Sequence, residues 1–295
     1  MRTLRRAACI SIAAICMSFS GQNWAACLNS GVQVQILGSG GPGPSAGRAS
    51  AGYVVWIDGV GRILVDAGSG TKDQFHAADA RLEDIELLAL SHFHPDHSAE
   101  LPAILWPAGS QARLSGPTGD DGFPSVSDFL ERLFGQDGAF PVLADRVQFD
   151  VLTIDTASRN IVEIWNANDV LVRGIGVPHA NVPTIGYRVD IGDASIAFSS
   201  DQNGSDPSFI EFIEGVDVLV IHMTVGEDAG GFGAELHAKP SVWGQMATQG
   251  GVGWVLVSHI SAPSPQVLQT RLDVLQDNYS GPVTVGEDLL CLEVH

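Results

Sequence analysis

The sequence predicts a layered α/β fold in a single domain, and two observations carry that reading. Short runs rich in Val and Ile alternate with segments of helical spacing along most of the chain, the pattern of strands packed beneath helices. No charged run, low-complexity tract or repeat of fixed period divides the 295 residues, so one core accounts for them without a linker.

The N-terminus stands apart. Arg2, Arg5 and Arg6 precede an apolar run over residues 7–19, followed by small and polar residues up to Ala25-Ala26-Cys27. A basic start, a short apolar centre and a small-residue end make a signal peptide. The apolar run falls short of the roughly 20 residues that span a bilayer. The expectation is therefore a signal peptide over 1–26, a domain over 27–295, and a periplasmic or secreted protein with no stable membrane association after cleavage. Trp24 stands where a lipoprotein signal carries a small aliphatic residue, which makes lipidation at Cys27 the lesser alternative. Cys9 and Cys16 fall in the expected signal, leaving Cys27 and Cys291. Two cysteines in an oxidising compartment suggest one disulfide, clasping the first strand to the last.

Residues 32–37, 53–57 and 62–65 are Val/Ile-rich and read as strands. The Gly/Pro-rich stretch from Gly38 to Pro44 lacks the Gly-Lys-Ser/Thr ending of a phosphate loop, so nucleotide binding is not expected. Residues 85–90 form the next strand, and 97–106 and 126–134 have helical spacing. Strands follow at 170–177, 184–189 and 195–199, a helix at 207–214, a strand at 216–221, a helix at 241–249, a strand at 252–257 and a final helix at 265–276.

The chain holds 15 basic and 34 acidic residues, and the signal would remove three arginines and no acids. Such a surface repels polyanions. Nucleic-acid binding draws on basic patches that release counterions from phosphate, and no Lys/Arg cluster follows residue 26. The expectation is no nucleic-acid partner.

Chemistry concentrates at strand ends. After the strand at 85–90 comes Ser91-His92-Phe93-His94-Pro95-Asp96-His97. Alternate residues of an extended segment project to one side, so His92 and His94 can grip one ion. The chain then turns into a helix, where Asp96 and His97 can face a second. His179, Asp201 and His259 follow later strands, and a carboxylate such as Asp201 can bridge two ions. Imidazole and carboxylate without cysteine suit zinc. His222 is either a partner of a ligand or a buried structural residue, and Asp66 either orients a metal-bound histidine or serves a turn. Trp106, Phe123, Phe134 and Trp243 line an aromatic pocket or belong to the core. His76 and His295 are expected on the surface.

With these motifs the chain resembles the metallo-β-lactamase-fold hydrolases, over nearly all of the expected domain. The resemblance implies an αββα sandwich with metals at one edge between two facing sheets. It implies His92, His94 and His179 on a first metal, Asp96, His97 and His259 on a second, and Asp201 bridging. Leu37-Gly38-Ser39-Gly40-Gly41-Pro42, Leu64-Val65-Asp66-Ala67-Gly68, Ser115-Gly116-Pro117 and Leu236-His237-Ala238 make it closest to the ribonuclease Z and arylsulfatase-like branch. There a histidine in the place of His237 assists the departing group, although Ala238 replaces the usual Ser. Only 21 residues separate His179 from Asp201, room for a hairpin and not for the extended arm of tRNA-processing relatives. Asp201 argues against antibiotic hydrolysis and His94 against diiron oxygen reduction.

Two zinc ions about 3.5 to 4 Å apart lower the pKa of a shared water enough to supply hydroxide near neutral pH; Mn2+ or iron are the alternatives. Asp96 would orient that nucleophile and His237 assist the leaving oxygen. The resulting expectation is an exported binuclear zinc hydrolase of a small ester, a phosphodiester or aryl sulfate, that can form a homodimer. A lactonase and a metal-binding protein without turnover are the alternatives.

Overall fold

The computed structural model describes residue 27 and residues 29–42, 47–120 and 122–295. The signal expected over 1–26 lies outside the described residues. Among the described residues no helix is long and apolar enough to cross a membrane.

Strands β1 (Val32–Gly38), β2 (Gly52–Ile57), β3 (Val60–Val65), β4 (Leu87–Ala89), β5 (Arg113–Pro117) and β6 (Asp150–Ile154) belong to one sheet. Strands β7 (Val162–Ala167), β8 (Val170–Val177), β9 (Thr184–Ile191), β10 (Ala194–Phe198), β11 (Val218–His222), β12 (Trp254–Ser258) and β13 (Val283–Val285) form the other. The last strand, β14 (Cys291–Val294), returns to the first sheet beside β1, giving the order β14-β1-β2-β3-β4-β5-β6 against β13-β12-β11-β10-β9-β8-β7. Each sheet is antiparallel on one side and parallel on the other: β3 to β6 run parallel, as do β10 to β13.

Three apolar clusters make four layers. Val34, Tyr53, Ile63, Leu87, Val172, Tyr187, Ile196 and Leu256 lie between the sheets. Phe209, Leu219, Trp243, Met246 and Leu275 fill the space between the second sheet and its helices, and Leu64, Phe75, Leu88, Leu101, Leu105 and Leu130 do the same outside the first. The expected αββα sandwich is the fold.

The outer helices are α1 (Thr71–Ala77), α2 (Pro95–Ser98), α3 (Leu101–Leu105) and α4 (Val126–Phe134) on the first sheet's side. On the other side are α5 (Ser208–Phe212), α6 (Phe232–Leu236), α7 (Pro240–Gln249) and α8 (Pro265–Asn278). In α4 the Ser125 hydroxyl accepts from Asp128 N, and Val126, Leu130 and Phe134 at four-residue spacing are buried. The helix expected over 97–106 is instead two. Pro102 has no N–H to continue a helix and disfavours helical backbone before it, and the intervening Glu100 N donates to Ala67 O at 2.9 Å.

β5, β6, β7, β13 and β14 go beyond the strands that periodicity predicts. Arg113-Leu114-Ser115-Gly116-Pro117 has one large apolar side chain, and β6, β7 and β13 carry exposed or half-buried positions. Sheet neighbours, not hydrophobic pattern, define them. Cys27 is disulfide-bonded to Cys291, whose strand pairs with β1 through Gln35, so the clasp between chain ends is present. Between His179 and Asp201 stands only the β9–β10 hairpin.

Candidate metal centre

Seven histidines and three aspartates meet at one edge of the sandwich, where β4, β8, β10, β11 and β12 end. From β4 the chain runs extended through His92 and His94 into α2, which carries Asp96 and His97. Pro95 at the first position of that helix fixes the turn. The loop after β3 supports it from below. Ala67 N donates to His97 O at 2.7 Å, and a Cβ on Gly68 would fall 2.1 Å from Asp96 O, so only glycine allows this approach. Asp66, in a left-handed conformation at φ 58°, accepts from Ser91 N at 2.7 Å and Ser91 Oγ at 2.8 Å, and its Oδ2 lies 2.8 Å from His97 Nδ1. Of the two roles open to Asp66, the structure gives it the orienting one.

The second sheet supplies its residues singly. His179 follows β8, and its Nδ1 donates to Leu236 O at 2.8 Å, which leaves Nε2 bare towards the cluster. Asp201 follows β10 and is the hub. Its Oδ2 lies 3.5 Å from His97 Nε2, 3.7 Å from His179 Nε2 and 4.0 Å from His92 Nε2, while Oδ1 meets His222 Nδ1 at 2.8 Å and His259 Nδ1 at 3.6 Å. His259 Nε2 lies 3.0 Å from His97 Nε2 and 3.2 Å from Asp96 Oδ2.

The ligand atoms gather into two groups that share Asp201: His92, His94, His179 and Asp201, and His97, Asp201, His222 and His259. Asp96 borders the second through His259. His222 is the residue that sequence reasoning left undecided. Its ring stacks on His259 at 4.6 Å and 7°, and its Nε2 lies 3.0 Å from the Tyr53 hydroxyl. The Tyr53 hydroxyl and Thr224 Oγ1, 2.8 Å from His259 Nδ1, are partners that no local sequence signal marks.

These donors fit a divalent cation. Imidazole nitrogens face one another at 3.0 and 3.1 Å, lone pairs converging where a cation would satisfy both. Burial lowers the pKa of His92, His94 and His179 and keeps them neutral, the ligand form. Burial also disfavours charge on His97, but Asp201 and Asp66 outweigh it and raise its pKa well above the usual value. For Asp96 burial is likewise outweighed, by the His259 hydrogen bond and the His97 and His259 charges, and its carboxyl falls to about 2. The Asp201 carboxyl, buried among the same rings, is held well below the usual range.

His237 stands where the sequence placed it. It is buried, packs on His179 at a ring distance of 5.2 Å, and points Nδ1 at Asp201 Oδ2, 3.8 Å away, with no hydrogen-bond partner. Burial lowers its pKa to about 4, so at neutral pH it offers a hydrogen bond and not a ready proton. The four aromatics divide: Phe123 lies 6.2 Å from the His94 ring, Trp106 is half exposed beneath Arg146, and Phe134 and Trp243 are core. His76 and His295 are exposed, as expected.

A sandwich of this architecture with a His/Asp cluster at its edge defines the metallo-β-lactamase-fold hydrolases. Residues 61–260 match the family described as Beta-lactamase superfamily domain, and the chain belongs to that family. It is 26% identical over 279 residues to the ribonuclease Z of Mycobacterium bovis, covering 90% of this chain and 99% of the relative. Among solved structures it resembles the human tRNase Z, short form, with a TM-score of 0.70 at 19% identity over 89% of this chain and 99% of that one. The metallo-β-lactamase fold protein YhfI from Bacillus subtilis gives 0.69 at 20% identity over the same shares.

These relatives correct two expectations. A small-ester hydrolase, whether phosphodiesterase, arylsulfatase or lactonase, and the absence of a nucleic-acid partner do not stand against the likeness to a ribonuclease Z over 90% of this chain. The error was to treat net charge as decisive. Charge summed over a surface governs long-range attraction, whereas a phosphodiester is held locally, and a centre that takes its positive charge from bound metal needs no lysine cluster.

Proposed function

We propose that residues 27–295 form a metal-dependent ribonuclease, which hydrolyses a phosphodiester of RNA at the sheet edge. The observation that carries this reading is Asp201, common to two His/Asp groups, in a chain of which 90% aligns with 99% of a ribonuclease Z. Two divalent ions, zinc by the donor set, would be held by His92, His94 and His179 and by Asp96, His97 and His259, with Asp201 between them. Such ions supply a water-derived nucleophile near neutral pH and offset charge on the phosphoryl oxygens.

The chain's own residues do the rest. Asp66 holds the His97 ring through Nδ1, and Leu236 O fixes the tautomer of His179. Asp96, ionised down to about pH 2, can accept a hydrogen bond from the nucleophile and orient it. His237 faces the shared aspartate from the other side and can donate a hydrogen bond to the departing oxygen. Only the β9–β10 hairpin lies between His179 and Asp201, so an RNA strand would be held by the sheet edge itself. The basic-apolar pattern over residues 1–26 and the Cys27–Cys291 disulfide support export.

The test is hydrolysis of 3′-extended RNA by the purified protein with zinc or manganese, against duplex DNA. Cleavage near the 3′ end that chelation abolishes is expected. Metal-loaded protein inert on every RNA would overturn the reading.

A further inference from the structure

Behind the second group of ligands sits a buried cation, Arg271. Arg271 projects from α8, beyond the residues matched by the family, and is 9% exposed. Its Nη1 donates to Thr224 O at 3.0 Å and lies 3.4 Å from both Met223 O and Ser261 O. Met223 and Thr224 follow His222 at the end of β11, and Ser261 stands two residues past His259 at the end of β12. One nitrogen thus joins the two strand ends that carry ligands of the second group.

The link reaches the ligand. Thr224, whose carbonyl Arg271 binds, places its own Oγ1 2.8 Å from His259 Nδ1, and this contact sets which nitrogen His259 turns towards Asp96 and His97. The backbone of His259 is in the left-handed region at φ 52°, disfavoured for a residue with a side chain, so its loop needs outside support to hold the ring. Among the described residues the three histidines of the first group have no hydrogen bond to α8: His179 is fixed by Leu236 O, and His92 and His94 come from the other sheet.

We propose that Arg271 is a positioning residue for His259 and thereby sets the affinity of the second metal pocket while leaving the first unaffected. The inference rests on the two-pocket reading above. Arg188 provides an internal comparison, because its Nη1 also donates to two carbonyls, Phe212 O at 3.0 Å and Glu214 O at 2.9 Å, with no ligand behind them.

The experiment is titration of metal-free protein with Zn2+ against a chromogenic chelator, with circular dichroism to confirm folding. In Arg271→Met the tighter equivalent should bind as in the wild type and the weaker should lose about 10- to 100-fold in affinity, the range for partners that orient ligands. Arg271→Lys, which keeps a cationic donor, should recover part of that loss. Arg188→Met should lower the thermal midpoint and change neither affinity. Two unchanged equivalents in folded Arg271→Met, or a loss no greater than that of Arg188→Met, would overturn the proposal. If the wild type binds a single equivalent, the two-pocket reading fails instead. Arg271 is then judged by whether that one affinity falls further in Arg271→Met than in Arg188→Met.

Discussion

The two sheets contribute to the metal centre in opposite ways. The first delivers His92, His94, Asp96 and His97 from six consecutive residues after one short strand, whereas the second delivers His179, Asp201, His222 and His259 from four strand ends. The first set is pre-arranged by local geometry, an extended step and one helical turn. The second depends on the register of parallel β10, β11 and β12, which brings residues far apart in sequence to a common edge. A local motif survives small shifts of its sheet. A set drawn from four strands does not.

The sharpest way to break the contrast is at the residue that joins the two sets. Asp201→Ala removes the carboxylate common to both groups, and we expect RNA hydrolysis to fall to background and metal content to drop in both pockets, read by elemental analysis. If the variant kept two tightly held ions, the sharing of Asp201 would be wrong. His97→Ala acts on one side only. It should leave one metal per chain with the fold intact and abolish turnover, and full activity would remove the case for two cooperating ions. A smaller effect is expected from Asp66→Ala, which deletes the partner at His97 Nδ1 and touches no ion. A loss of about 10- to 100-fold in kcat/KM or metal affinity is its expected scale.

The same contrast explains what could be read from the sequence. The run from His92 to His97 shows its chemistry in the spacing alone, and β8, β9 and α4 are visible because uninterrupted apolar periodicity marks them. His179, Asp201 and His259 are three single residues, and they became legible only as an ordered set beside that run. His222 could not be resolved, since its role comes from a ring stack on His259 and a contact with Asp201 that exist only after parallel strands align. Tyr53, Thr224 and Arg271 lie deeper still: Tyr53 meets the site across the sandwich, Thr224 from the loop after β11 and Arg271 from α8, with nothing in the local sequence to betray them. Composition could not give the substrate class, because it reports the whole surface and the His/Asp cluster occupies one edge.

Acid should destabilise the metal-free protein through buried histidines of both sheets, because burial lowers His92 and His94 on the first as it does those of the second. His222 and His237 have pKa values lowered to about 4 by burial, and burial lowers His179 as well, whereas an unfolded histidine titrates near 6.5. Between roughly pH 6.5 and 4 the unfolded chain takes up protons at these positions that the folded chain refuses, so stability falls as pH falls. His97 has the opposite sign. Its raised pKa contributes stability that is fully present below about 6.5 and is lost only as pH rises above it, so it does not relieve the acid side. The stability of metal-free protein should therefore decline from pH 6.5 to pH 4, by about 1.4 kcal/mol for each unit of pKa difference at each lowered histidine, read as a falling thermal midpoint. His237→Gln should flatten the decline, because it removes one lowered group and leaves His97 in place. An unchanged slope in that variant would mean that His237 is not held neutral in the folded protein.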